Sequence, residues 1–173
     1  MGPESTGKTT LAKQLAAHFN TVYVPEFMRT YYEEHVIREP FESKFEDILP
    51  IAQGQVATEN AALQQANELL FCDTNALEIA AYSQYYFGKI PKKLEEHLSE
   101  MHYDLYFLTY IDVPWQKDHL RDRPNDRLKL FSIFEKTLKE RGIPHLVLRG
   151  DESKRLRSAI LEILKHRKGL HGI

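Results

Sequence analysis

Cysteine is nearly absent: Cys72 stands alone in 173 residues, so no internal disulfide can form and an exported, disulfide-stapled fold is not expected. An excess of one charge is missing too. The formal net charge is −2, without the basic surplus of a nucleic-acid-binding surface, so no nucleic-acid partner is expected. No apolar run approaches the roughly 20 residues of a membrane span, which argues against a membrane partner. Met1 leads straight into polar residues with no signal-peptide core, and a cytoplasmic location follows as an expectation. The eight histidines show neither H-E-x-x-H nor paired Cys/His spacing, so no transition-metal site is assigned. Repeats and low-complexity tracts are also lacking.

What is present is an ordinary globular composition, 42% hydrophobic and 28% charged, in a length that fits one domain spanning residues 1–173. Short β-branched or aromatic runs alternate with helical patterns, the signature of an α/β domain with a parallel sheet. Strands are predicted at Thr21–Val24, Leu69–Asp73, Asp104–Val113 and His145–Leu148. Helices are predicted at Lys8–Phe19, Glu26–Arg38, Phe45–Glu68, Asn75–Phe87, Pro91–Met101, Asp126–Arg141 and Glu152–His166. Pro50 and Gly54 are candidate bend points in the third of these. In the last, Leu156, Ile160, Ile163 and Leu164 are expected on one side.

Gly2-Pro3-Glu4-Ser5-Thr6-Gly7-Lys8-Thr9 fits G-x-x-x-x-G-K-[ST] and opens a helix, as a phosphate-binding loop requires. Glycines let successive backbone N–H groups turn inward as an anion nest, and the helix N-terminus adds positive charge behind them. Lys8 is then the group that reaches the β- and γ-phosphates of ATP, with the Thr9 hydroxyl on Mg²⁺ and Thr10 beside it. A Gly/Ser/Thr turn with a surface lysine is the bland alternative. One contextual requirement is unmet: the motif should follow a buried strand, and only Met1 precedes Gly2. The first, central strand is therefore expected to be missing from this sequence, with a natural version carrying about five to eight apolar residues upstream.

Phosphoryl transfer also needs charge neutralisation and a group to receive the hydroxyl proton. Glu26, just past a predicted strand, is a candidate for that proton, with Arg29 one helical turn on; a dipole-favoured helix-start glutamate is the alternative. Asp73 ends an apolar strand, where an acid either binds Mg²⁺ or caps the helix beginning at Asn75. Arg121, Arg123 and Arg127 lie in a Pro/Asn-broken segment suited to a lid over about residues 115–127, or to a solvated charged loop. Tyr82, Tyr85 and Tyr86 share a helical face and read first as core, second as a base-stacking wall. A GTP-dependent switch would carry a base-reading N-K-x-D motif, and none is present.

The chain resembles the ribosylnicotinamide kinase domain of NadR-type proteins, within the P-loop small-molecule kinases, over nearly its whole length. Beyond the loop Gly2–Thr9, the likeness rests on Pro25-Glu26-Phe27-Met28-Arg29, on Asp47 followed by Gln53-Gly54-Gln55, and on Phe71-Cys72-Asp73-Thr74-Asn75. Tyr86-Phe87-Gly88-Lys89 and the set Trp115, Asp118, Leu120 and Arg121 complete it. The resemblance implies a nucleotide-kinase-like three-layer sandwich with a helical lid. It implies ATP- and Mg²⁺-dependent phosphorylation of the 5′-hydroxyl of nicotinamide riboside, giving nicotinamide mononucleotide for NAD synthesis. By matching positions, Lys8, Glu26, Asp73 and Arg121 become catalytic candidates; Gly2, Pro3, Glu4, Ser5, Thr6, Gly7, Lys8, Thr9, Thr10 and Arg123 hold nucleotide. Arg29, Asp47, Gln55, Trp115 and Asp118 become riboside contacts alongside Glu26. The adenylyltransferase and DNA-binding parts that such proteins often carry have no counterpart in this sequence.

Overall fold

A computed structural model describes residues 1–35, 43–118 and 124–170. In chain order the elements are α1 (Lys8–His18), β1 (Tyr23–Val24), α2 (Phe27–His35), α3 (Phe45–Leu63), β2 (Phe71–Cys72) and α4 (Ala76–Phe87). They continue with α5 (Lys92–Leu98), β3 (Tyr106–Thr109), α6 (Arg127–Glu140), β4 (His145–Leu148) and α7 (Glu152–Leu170). Successive side chains of a strand point to opposite faces, and this alternation splits the apolar residues between two cores. Phe107, Leu146 and Leu148 pack with Leu11 and Leu15 of α1 and Ala159 and Ile163 of α7. Tyr106, Leu108 and Val147 face the other way, onto Tyr32, Ile51, Ala80, Leu130 and Phe134 from α2, α3, α4 and α6. The result is helices, strands and helices in three layers.

The strands form two parallel pairs. Tyr23 lies opposite Phe71 and Val24 opposite Cys72; Tyr106 to Thr109 run alongside His145 to Leu148. Met1 adds one residue to the free edge of β3. Its nitrogen donates to Phe107 O at 3.0 Å and its carbonyl accepts from Thr109 N at 3.0 Å. That is the bonding pattern of a residue in a parallel ladder. Among the described residues, Met1 alone stands in this row. Next to Met1 a cleft of about 930 Å³, lined by Leu11, Leu15, Phe71, Cys72, Leu105 and Phe107 among others, separates the two pairs. β1, β2 and β3 are shorter than the runs that announce them, whereas β4 matches its run from His145 to Leu148.

Helix ends follow local chemistry. Asn75 caps α4 by accepting from Glu78 N at 2.9 Å, and Gly88 closes that helix at φ 68°. α3 continues through Pro50, which sits close enough to its start to forfeit a single backbone bond. α7 differs from expectation. It extends to Leu170, and its buried stripe is Arg155, Ala159 and Ile163, at steps of four. Leu164, expected on the apolar side, is 42% exposed, because it falls outside that stripe.

Gly54 of α3 packs closely against Phe27, the first residue of α2: a Cβ there would lie 2.0 Å from the Phe27 ring. The contact fixes α2 immediately after Glu26. Gly54→Ala is expected to destabilise the fold by about 1–3 kcal/mol through overpacking. Thermal unfolding should fall by ~2–4 °C for each kcal/mol; an unchanged melting temperature would refute this packing.

Candidate nucleotide and substrate site

The loop before α1 is shaped by close approach and by bonds to its carbonyls. Gly2 has φ 149°, and a Cβ there would lie 2.2 Å from Thr109 Oγ1, so only glycine lets the chain leave β3 at this point. Gly7 adopts the left-handed conformation at φ 82° and turns the chain into α1. Thr6 Oγ1 donates to Pro3 O at 2.7 Å and pairs with Thr109 Oγ1 at 2.7 Å. Two arginines hold the loop from behind. Arg127 donates to Ser5 O at 3.1 Å and to Val113 O; Arg155 donates to Thr6 O, to Tyr110 O at 2.8 Å and to Asp112. With those carbonyls engaged, the neighbouring amides are left for an anion. The first turn of α1 has no acidic residue to offset the helix dipole.

Lys8 folds over this loop. Its ammonium donates to Gly2 O at 2.7 Å and to Pro3 O at 3.3 Å, and lies 3.3 Å from Glu78. Burial pulls its pKa down, but Glu78, Glu26 and Asp73 outweigh that pull and the net shift is upward. Thr9 Oγ1 donates to Asp73 Oδ2 at 2.6 Å, while Asp73 Oδ1 is buried without a hydrogen-bond partner among the described residues. An aligned hydroxyl and a buried carboxylate with a free oxygen are the donor set a magnesium ion takes in phosphate-loop proteins. Asp73 does not cap α4; Asn75 does. Glu26 is half-buried, and burial, with Asp73 and Glu78 nearby, pushes its carboxyl up to about 7 despite Lys8 and Arg29.

These groups meet in one cavity of about 700 Å³. Its lining is part polar, with residues 4–10, Glu26, Arg29, Asp73 and Glu78, and part apolar, with Met28, Ile48, Ile51, Ile79, Tyr82 and Tyr86. Tyr82 and Tyr86 stack with ring centroids 6.1 Å apart, and Tyr82 also meets Phe134 edge-on, so the tyrosines serve core and cavity wall together. Gly2 and Pro3 shape the loop from below rather than line the cavity.

Several sequence candidates lie elsewhere. Gln55 is fully buried, and its amide ties Phe27 N, Glu59 and Thr74 together, bracing α2 and the end of β2. Asp47 accepts from Lys44 N at 3.1 Å at the head of α3 and from Tyr31 Oη at 3.2 Å. Neither lines the cavity, because each is committed to an internal bond there. Trp115 lies beneath the guanidinium of Arg127, 5.9 Å from the ring centre, and Asp118 pairs with Arg29 at 3.2 Å at the cavity margin. Arg121 and Arg123 lie outside the described residues. Three residues escaped the sequence reading: Glu78, Arg127 as a loop brace, and Arg155. Glu78 has a signal, the spacing Asn75-x-x-Glu78, but that spacing announces a capping box. Its side chain turns to Lys8 instead.

The family profile described as "AAA domain" matches residues 1–155. Two curated relatives carry the name Trifunctional NAD biosynthesis/regulator protein NadR. That of Salmonella typhimurium is 29% identical over 99% of this chain and 42% of its own length. That of Escherichia coli is 30% identical over 83% of this chain and 35% of its own length. The chain thus spans less than half of either relative. Among solved structures, NadR in complex with NAD and AMP-PNP superposes with a TM-score of 0.78 at 23% identity, covering 96% of this chain and 48% of that one. NadR in complex with NR gives 0.77 at 24% identity, over 96% of this chain and 50% of that one. A thymidylate kinase from Ehrlichia chaffeensis gives 0.67 at 16% identity, over 95% of both chains. The phosphate loop, the parallel strands and these likenesses together place the chain in the AAA-domain family of P-loop proteins, as a homologue of NadR with the P-loop kinase fold.

Proposed function

We propose that the chain is an ATP- and Mg²⁺-dependent nucleoside kinase that phosphorylates the 5′-hydroxyl of nicotinamide riboside, giving nicotinamide mononucleotide. The observation that carries this reading is the shared cavity: Lys8, the Thr9–Asp73 pair and Glu26 line the same space as Tyr82, Tyr86 and a set of aliphatic side chains. The homologous NadR structures with AMP-PNP and with NR support the choice of ligands.

The loop amides and Lys8 bind the β- and γ-phosphates, which removes the ammonium from the carbonyls it caps at rest. Thr9 and Asp73 are the residues that would hold magnesium, which neutralises phosphate oxygens as charge shifts toward ADP. Tyr82 and Tyr86 would flank the riboside base, and Arg29, held by Asp118, borders the acceptor. The acceptor hydroxyl oxygen forms a bond to the γ-phosphorus as the bond to the β–γ bridging oxygen breaks. Its proton passes to Glu26, and ADP departs. A carboxyl that ionises near neutrality suits this transfer, since the base must be free and yet bind the proton.

Turnover should be supported by nicotinamide riboside and not by thymidine or cytidine; phosphorylation of a pyrimidine nucleoside alone would assign another substrate to the same site. Lys8→Ala should lower kcat by about 10²–10³-fold, as does loss of other transition-state donors, and near-normal turnover would refute its role. Because Glu26 acts deprotonated, kcat should rise with pH through about 7 and level off above it. Lys8, Asp73, Glu78 and Arg29 are the charged groups that set this value. Glu26→Gln should abolish that limb and lower kcat far more than ATP affinity; equal losses in both would make Glu26 structural.

A further inference from the structure

Glu78 is the least expected group in the cavity. It sits in the first turn of α4, 1% exposed, and lines the cavity with Lys8, Asp73 and Glu26. Among the described residues neither carboxylate oxygen has a hydrogen-bond partner. Two cations compensate it: Lys8 Nζ at 3.3 Å and the Met1 nitrogen at 3.6 Å. Burial lowers the pKa of the Met1 amine, which makes it the weaker of the two. A carboxylate so enclosed is costly without its counter-ion. The Lys8 ammonium, which a nucleotide must recruit, is therefore already claimed by Glu78 and by the carbonyls of Gly2 and Pro3.

We propose that Glu78 is a positioning residue that competes with the nucleotide for Lys8, drawing the ammonium back onto the empty loop and so favouring release of ADP. The inference rests on the reading of the loop as a nucleotide site. Its geometry needs no further ligand. When phosphate oxygens take Lys8, Glu78 loses its nearer partner and itself repels the polyphosphate. The penalty falls on every nucleotide that takes Lys8, and ADP, which grips the ammonium with fewer oxygens, is left with the smaller net hold. The same carboxylate raises the ionisation point of Glu26, which is faced also by Lys8, Asp73 and Arg29. Glu78 thereby touches both product release and the acid limb of turnover without contacting the acceptor.

The test uses the intact chain and its Glu78→Gln and Glu78→Asp forms, titrated calorimetrically with ADP and with AMP-PNP plus magnesium. The Gln form should bind ADP about tenfold tighter, as removal of one close, poorly screened charge implies. The difference should persist in high salt, because the pair is buried. Its KM for ATP should fall together with kcat, because release slows, and its acid limb should move to lower pH. The Asp form, with the charge kept but withdrawn by one carbon, should tighten ADP binding by only about two- to threefold; if the Gln form fails to fold, this variant decides. Binding that is unchanged or weaker in the decisive variant, with nucleotide still bound by the unsubstituted chain, overturns the competition alone. Absence of any nucleotide binding by the unsubstituted chain overturns the nucleotide reading and the competition with it.

Discussion

A buried ammonium organises this molecule. Lys8 lies among Glu26, Asp73 and Glu78 and against two carbonyls of its own loop. Three carboxylates gathered in one half-buried space would repel one another; a single fixed cation makes the arrangement tenable, and a polyphosphate can replace the carboxylates as its partner. The raised ionisation of Glu26, the free oxygen of Asp73 and the enclosure of Glu78 are consequences of the same crowding.

The fold delivers these groups by one geometric rule. In open α/β sheets, ligands bind beyond the carboxyl ends of the strands. Glu26 follows β1, Asp73 follows β2, and the loop itself leaves the edge of β3 through Met1 and Gly2. Thr109, the last residue of β3, touches Gly2 and Thr6, so the strand end sets the loop directly. From the opposite side Arg127 and Arg155 secure the Ser5 and Thr6 carbonyls, joining the loop to α6 and α7. Phosphate-site geometry is thus built from residues over 100 positions apart.

Much of this was legible in the sequence because it depends on local pattern. The glycine spacing of the loop, the apolar run ending in Asp73, and the Gly88 and Gly142 helix stops announce themselves within a few residues. The carboxylate at Glu26 was legible for the same reason. What escaped depends on partners remote in the chain. Gln55 reads as a substrate contact until three internal bonds claim its amide. Glu78 and Arg155 are not singled out by the sequence, because their roles depend on Lys8 and on the Thr6 and Tyr110 carbonyls. Leu164 shows the converse: an apolar residue near the right face that the stripe Arg155–Ala159–Ile163 passes by.

The account stands on one cavity holding polyphosphate and nucleoside side by side. A bisubstrate compound joining adenosine to nicotinamide riboside through a tetraphosphate addresses both ligands at once. Calorimetry should find it bound at least about a hundredfold tighter than ATP, since linkage makes the second contact intramolecular. An affinity no greater than that of ATP would contradict the account.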